Sequence, residues 1–117
     1  MPDLIDLQAR IAQFAAARDW EQFHSPKNLA MALSVEAAEL LEHFQWLTER
    51  QSRELTPEKV AAVEAEMADV FIYLLRLSDK LGVDLMAAAD RKLAANAEKY
   101  PVAKAKGNAK KYTEFDE

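Results

Sequence analysis

The stretch TPEKVAAVEAEMADVFIYLLRLSDKLG, residues 56–82, decides the fold class. Thr56-Pro57 is a helix start: a hydroxyl able to cap the first free N–H groups, then a proline where its missing N–H costs nothing. Val60, Val63, Met67, Val70, Leu74, Leu77 and Leu81 then recur at heptad spacing, and Gly82 can take the left-handed conformation that ends helices. This pattern predicts one long amphipathic helix. A second apolar set, Phe71, Ile72 and Leu75, lies beside the stripe. Together they present more apolar surface than one small bundle hides, so homo-oligomerisation is expected.

Upstream, Ser25-Pro26 repeats the start signal and opens a helix expected to reach about Glu49, with Leu29, Leu33, Glu36, Leu40 and Leu47 on its stripe. Residues 48–55 are polar and read as a turn. Asp3 can cap a first helix carrying Leu4, Leu7, Ile11, Phe14 and Arg18 on one line. Asp19–His24 breaks that line and holds two large aromatics, a packed connector. Downstream, Asp84 can cap a fourth helix that runs to Tyr100 and stops at Pro101. The expectation is an all-α, four-helix bundle-like domain over residues 1–101 and a basic tail over 102–117.

Composition narrows the function classes. With 117 residues the chain is one domain, and only two glycines suit an all-α fold. The absence of cysteine removes disulfides, zinc–thiolate sites and thiol chemistry, and two histidines argue against an all-histidine metal site. A net charge of −5 gives no basic footprint for a nucleic acid polymer. No apolar run reaches the roughly 20 residues of a membrane span. Met1-Pro2-Asp3 does not read as a signal peptide, so the cytoplasm is the expected location.

Two acid pairs interrupt the apolar stripes: Glu36-x-x-Glu39 on the second helix and Glu66-x-x-Asp69 on the third. Spacing of i, i+3 puts both carboxylates of a pair on one face. Glu39 lies ten residues before Glu49 and Glu66 ten residues after Thr56, with Glu36 and Asp69 each three residues further out. In an antiparallel hairpin these distances give equal height, so the four acids meet at one level between two helices. Carboxylates desolvated together are costly unless they hold a cation. Oxygen-only donors suit Mg²⁺ or Mn²⁺, and Mg²⁺ keeps waters with which to meet phosphates. A di-iron bundle would need paired Glu-x-x-His motifs, and only Glu21 to His24 has that spacing. Taken singly, an E-x-x-E pair is more often a solvated acidic face.

Aromatic residues accompany the acids. Tyr73 follows Asp69 by one helical turn, and Trp46 follows Glu39 by seven residues. Flat rings beside a cation site can stack a nucleobase; Trp20, Phe23 and Trp46 could simply be core, whereas Tyr73 shares the face of the carboxylates. His24 and Asn28 carry groups that can hydrogen-bond a base or sugar. Lys99, Lys110 and Lys111 can neutralise phosphate or remain ordinary surface charge. Glu42 reads either as a supporting base or as an exposed acid.

Trp20-Glu-Gln-Phe-His24, Glu36-Ala-Ala-Glu39, Phe44-Gln-Trp46, Glu66-Met-Ala-Asp69-Val-Phe-Ile-Tyr73, Asn96-x-x-Lys99-Tyr100-Pro101 and Lys111-Tyr112-Thr113 together resemble the all-α nucleotide pyrophosphohydrolases related to MazG, and within them the dCTP pyrophosphatase branch. The resemblance implies Mg²⁺-dependent hydrolysis of a deoxynucleoside triphosphate, dCTP or a modified dCTP, to monophosphate and pyrophosphate, a house-cleaning activity. It implies that Glu36, Glu39, Glu66 and Asp69 are the catalytic metal ligands. It places Trp20, Glu21, Gln22, Phe23 and His24, with Trp46 and Tyr73, at the nucleotide, and its C-terminal blocks add Asn96, Lys99, Tyr100 and Lys111. It also implies a homodimer or homotetramer with sites at subunit contacts. One position departs: animal members of the branch carry a histidine where Ile11 stands. The rival reading from the residues is a non-enzymatic interaction protein whose acids form a docking surface.

Overall fold

The computed structural model describes residues 3–116, and among these there are helices and turns but no strand. Helix α1 spans Leu4–Ala17, α2 Pro26–Glu42, α3 Glu49–Ser52, α4 Pro57–Lys80, α5 Leu85–Lys99 and α6 Val102–Ala105, with short 3-10 turns at Glu21–Phe23 and Tyr112–Glu114. The start signals act as the sequence implies. The Asp3, Ser25, Thr56 and Asp84 side chains accept from the N–H of Asp6, Asn28, Lys59 and Ala87, respectively. Among the described residues, no helix is long and apolar enough to cross a membrane.

The chain forms two compact units, residues 1–83 and 84–117. In the first, α4 packs mainly against α2 and less against α1. His24 meets Arg76, while Glu36 and Glu39 meet Glu66, so α2 and α4 are antiparallel. Gln8 reaches Ser78 at 3.3 Å, placing the start of α1 near the end of α4. Ala15, Leu29, Val63 and Leu75 are buried. In the second unit, the segment after α5 folds back on its end. Tyr100 packs edge-on against Tyr112 and Phe115, with centroids 6.0 and 5.6 Å apart.

Two expectations need correcting. Helix α2 ends at Glu42, not near Glu49, and the expected turn contains the one-turn helix α3. Phe44, Gln45 and Trp46 lie in turns, with the Leu41 carbonyl accepting from both Phe44 and Gln45 at 2.8 and 2.9 Å. Bulky aromatics hold helix poorly, and Thr48-x-x-Gln51 makes a reciprocal capping box that starts a new one. Trp46 is therefore not on α2.

The α4 heptad is also only partly the buried face. Val63 is buried, but Val60, Met67 and Leu81 are exposed, and Leu75, outside the stripe, is fully buried. A strict seven-residue repeat drifts about 20° per heptad on a straight helix. Over the 24 residues of α4 no single heptad line stays buried, and of the second apolar set Leu75 is enclosed while Phe71 and Ile72 are exposed.

Candidate active site

Glu36 and Glu39 on α2 and Glu66 on α4 each place a carboxylate oxygen within 4.8 Å of the others. One oxygen of Glu36 and one of Glu66 are buried with no hydrogen-bond partner. Among the described residues, none of the four acids takes part in an ion pair. Desolvation, then the adjacent Glu39 and Glu66 carboxyls and the charges of Glu39 and Asp69, raise the Glu36 pKa from 4.5 to about 7. Unpartnered, desolvated oxygens converging from two helices fit a hard divalent cation bound by oxygen alone. Asp69, one turn beyond Glu66, lies outside this cluster and is exposed.

Asp69 instead borders a cavity of about 250 Å³ in the first unit. Ile11, Phe14 and Ile72 form its apolar wall, Trp20 and Tyr73 add flat rings, and His24 and Arg76 bring polar groups. Trp20 is set there by the end of α1. Its N–H donates to Ala15 O at 3.0 Å and that of Asp19 to Ala16 O at 3.1 Å, a paired closure that puts Asp19 at φ 56°. Glycine usually takes this conformation, and aspartate tolerates it better than most residues. The Trp20 ring then lies edge-on to Phe14, 5.6 Å between centroids, and 6.1 Å from the His24 ring.

The remaining candidates are distributed differently. Glu21 is ion-paired with Lys80 and Arg76, which hold its pKa below the usual carboxylate value. The Gln22 amide donates back to the carbonyl and carboxylate of Asp19. Asn28 donates to Phe23 O at 3.0 Å, stapling the 3-10 turn to α2. The rings of Phe23 and Trp46 are exposed, Trp46 by 86 %. None of these five borders the cavity. Asn96, Lys99, Tyr100 and Lys111 belong to the second unit, where the Lys99 ammonium sits 5.0 Å over the Tyr112 ring. Sequence reasoning missed Phe14 and Arg76. The second had a signal, a lone cation between Leu75 and Leu77 in the most apolar part of α4.

A pH prediction follows from Glu36. Its folded pKa lies above the unfolded value, so its contribution is full below about pH 4.5 and is lost as pH rises through about 7. Cation-free protein is expected to lose thermal stability across that window, and saturating Mg²⁺ to flatten the dependence. Melting curves in EDTA and in Mg²⁺ at pH 5, 6, 7 and 8 check this; equal slopes in both would remove the cation from the cluster.

The chain belongs to the MazG-like family, whose model matches residues 31–115. It is 45% identical to dCTP pyrophosphatase 1 of Mus musculus over 116 residues, 97% of this chain and 68% of that protein. The Homo sapiens dCTP pyrophosphatase 1 is 44% identical over the same shares. The solved structure of a pyrophosphatase from Archaeoglobus fulgidus superposes with a TM-score of 0.81 at 39% identity, covering 86% of this chain and 94% of that one.

Proposed function

We propose that this chain is a nucleoside triphosphate pyrophosphohydrolase that converts dCTP, or a modified dCTP, to the monophosphate and pyrophosphate with Mg²⁺. The observation that carries the reading is the join along α4: Glu66 belongs to the acidic cluster, and Asp69, one turn on, borders the aromatic cavity. A base held in the cavity therefore leaves its phosphates beside the acids. A docking-surface protein has no use for carboxylate oxygens withdrawn from solvent, as those of Glu36 and Glu66 are.

Glu36, Glu39 and Glu66, with Asp69 from the cavity side, are the residues that would hold the cation. Bound there, it supplies positive charge to the triphosphate oxygens and to the departing pyrophosphate. The other roles belong to the protein. Trp20 and Tyr73 offer ring faces to the base, Phe14, Ile11 and Ile72 keep its edge dry, and His24 offers a polar contact. The helices fix the carboxylates before substrate arrives, so little reorganisation accompanies charge development. The activity belongs to the cytoplasm, where it would clear unwanted nucleotides.

The test is a panel of canonical and 5-modified dNTPs with Mg²⁺, measuring nucleotide and phosphate products. Equal amounts of monophosphate and pyrophosphate, greatest for cytosine nucleotides, are expected. Orthophosphate as the sole phosphorus product would mean another reaction.

We also assign a homodimer or homotetramer. Val35 and Leu41 on α2 and Met67 and Phe71 on α4 are 42–58 % exposed, an apolar area that a second copy would cover. Trp46 then works from a neighbouring copy. Trp46→Ala is expected to raise KM for nucleotide about tenfold while kcat changes less than twofold, since stacking on one ring contributes about 1–3 kcal/mol per base. Steady-state kinetics decide it; a fall in kcat alone would place Trp46 in the chemistry.

A further inference from the structure

Arg76 is 4 % exposed, so its guanidinium charge must be answered inside the protein. Each of the three guanidinium nitrogens donates once. Nη2 donates to Glu21, Nη1 to Asp79 Oδ2 at 3.4 Å, and Nε to His24 Nδ1 at 3.2 Å. Glu21 is gripped from its other oxygen by Lys80, which keeps the fork from turning. Gln22 fastened to Asp19 and Asn28 fastened to Phe23 hold the turn that carries His24.

This arrangement determines the imidazole's chemistry. An arginine Nε–H is a permanent donor, so His24 Nδ1 can only accept. A neutral ring then carries its single proton on Nε2. Desolvation, followed by the Arg76 charge, lowers the His24 pKa and so favours that neutral ring over the imidazolium. His24 borders the same cavity as Trp20, Tyr73 and Asp69, and among the described residues it has no other side-chain hydrogen bond.

We propose that Arg76 is a positioning residue, which fixes His24 as the Nε2–H tautomer so that this ring presents a neutral donor to an acceptor atom of the nucleoside, such as a base carbonyl. The inference rests on the nucleotide reading above and goes further, because it names the atom that selects and the residue that sets it. A cationic imidazolium would attract any phosphate oxygen. A neutral donor at a fixed angle instead rewards a carbonyl or ring nitrogen and leaves the phosphates to the acidic end. Glu21 and Lys80 thereby act on recognition without touching the ligand.

Two measurements test it. In the substrate-free protein, nitrogen NMR of ¹⁵N-histidine, with His43→Gln to separate the two histidines, reports the tautomer directly. The Nε2–H form is expected for His24 at pH 7.5, and a mixture in Arg76→Met; an Nδ1–H ring in the unsubstituted protein overturns the proposal without any kinetics. In dCTP turnover, Arg76→Met is expected to raise KM about tenfold with a smaller change in kcat, and Arg76→Lys to recover part of the loss. In a His24→Ala background the Arg76→Met increment in KM is expected to vanish, since the effect passes through the ring. An increment that persists there makes Arg76 a direct ligand or a purely structural cation, and either overturns the proposal. Should no nucleotide be cleaved at all, the tautomer spectrum stands as measured and it is the nucleotide reading, with the recognition built on it, that falls.

Discussion

Glu36→Gln is expected to lower kcat/KM for dCTP by about a thousandfold while raising the melting temperature of the cation-free protein. The two effects share one cause. Glu36 stands with Glu39 and Glu66 in a cluster whose oxygens approach within 4.8 Å, and one of its own oxygens is buried with no partner. A carboxylate so placed is opposed by desolvation and like charge, its pKa of about 7 registers that cost, and a cation bound there would offset it. Glutamine keeps the shape and removes the charge, so without a cation the helices lose a repulsion. With one, they lose a ligand. Removing a single preorganised charge-stabilising group from an active site costs about 10²–10³ in rate. Circular dichroism melts in EDTA and dNTP turnover in Mg²⁺ separate the two arms. A variant that keeps activity would remove the mechanism, and one that loses both activity and helical stability would make Glu36 a structural residue. The substitution should also remove the fall in stability with rising pH that Glu36 contributes to the EDTA melt, leaving the opposite slope of His24, whose lowered pKa makes stability rise with pH.

The helix starts were legible because each carries a capping side chain, reinforced by a following proline at Ser25 and Thr56: Asp3, Ser25, Thr56 and Asp84 all cap as their side chains suggest. The meeting of Glu36, Glu39 and Glu66 was legible too, since spacing along two antiparallel helices sets height. Asp69 was not separated from them, because i, i+3 places two residues on one face but leaves about 60° between them, enough here to turn Asp69 toward the cavity. The end of α2 was missed through Thr48-x-x-Gln51, a capping box present in the sequence and read as loop. The tertiary fate of the Trp20–His24 block was beyond local pattern. Its residues are consecutive, yet Trp20 and His24 border the cavity, Glu21 pairs with α4, and Gln22 turns back to Asp19. A 3-10 turn fans neighbouring side chains about 120° apart, so one motif serves three surfaces.

Leu75→Ala is expected to cost about 3 kcal/mol, lowering the melting temperature by more than about 10 °C, whereas Met67→Ala should cost little in dilute protein. The heptad of α4 ranks them the other way, with Met67 on the seam and Leu75 off it. Burial decides between the two: Leu75 is fully enclosed and Met67 is 57 % exposed. Truncating Leu75 leaves a void in the layer where α4 meets its neighbours, and the surrounding helices cannot close it without moving the acids and Arg76 that they carry. Met67→Ala is a clean comparison because both residues favour helix about equally, so propensity contributes almost nothing. The pair also reads the assembly. If a second copy covers Val35, Leu41, Met67 and Phe71, Met67→Ala will lower the melting temperature at high protein concentration and leave it unchanged at high dilution, while Leu75→Ala will lower it equally at both. Melting curves over a hundredfold concentration range, with molar mass by sedimentation, make the measurement. A concentration-independent loss at Met67 as large as that at Leu75 would place Met67 in the core of the single chain and return the buried seam to the heptad.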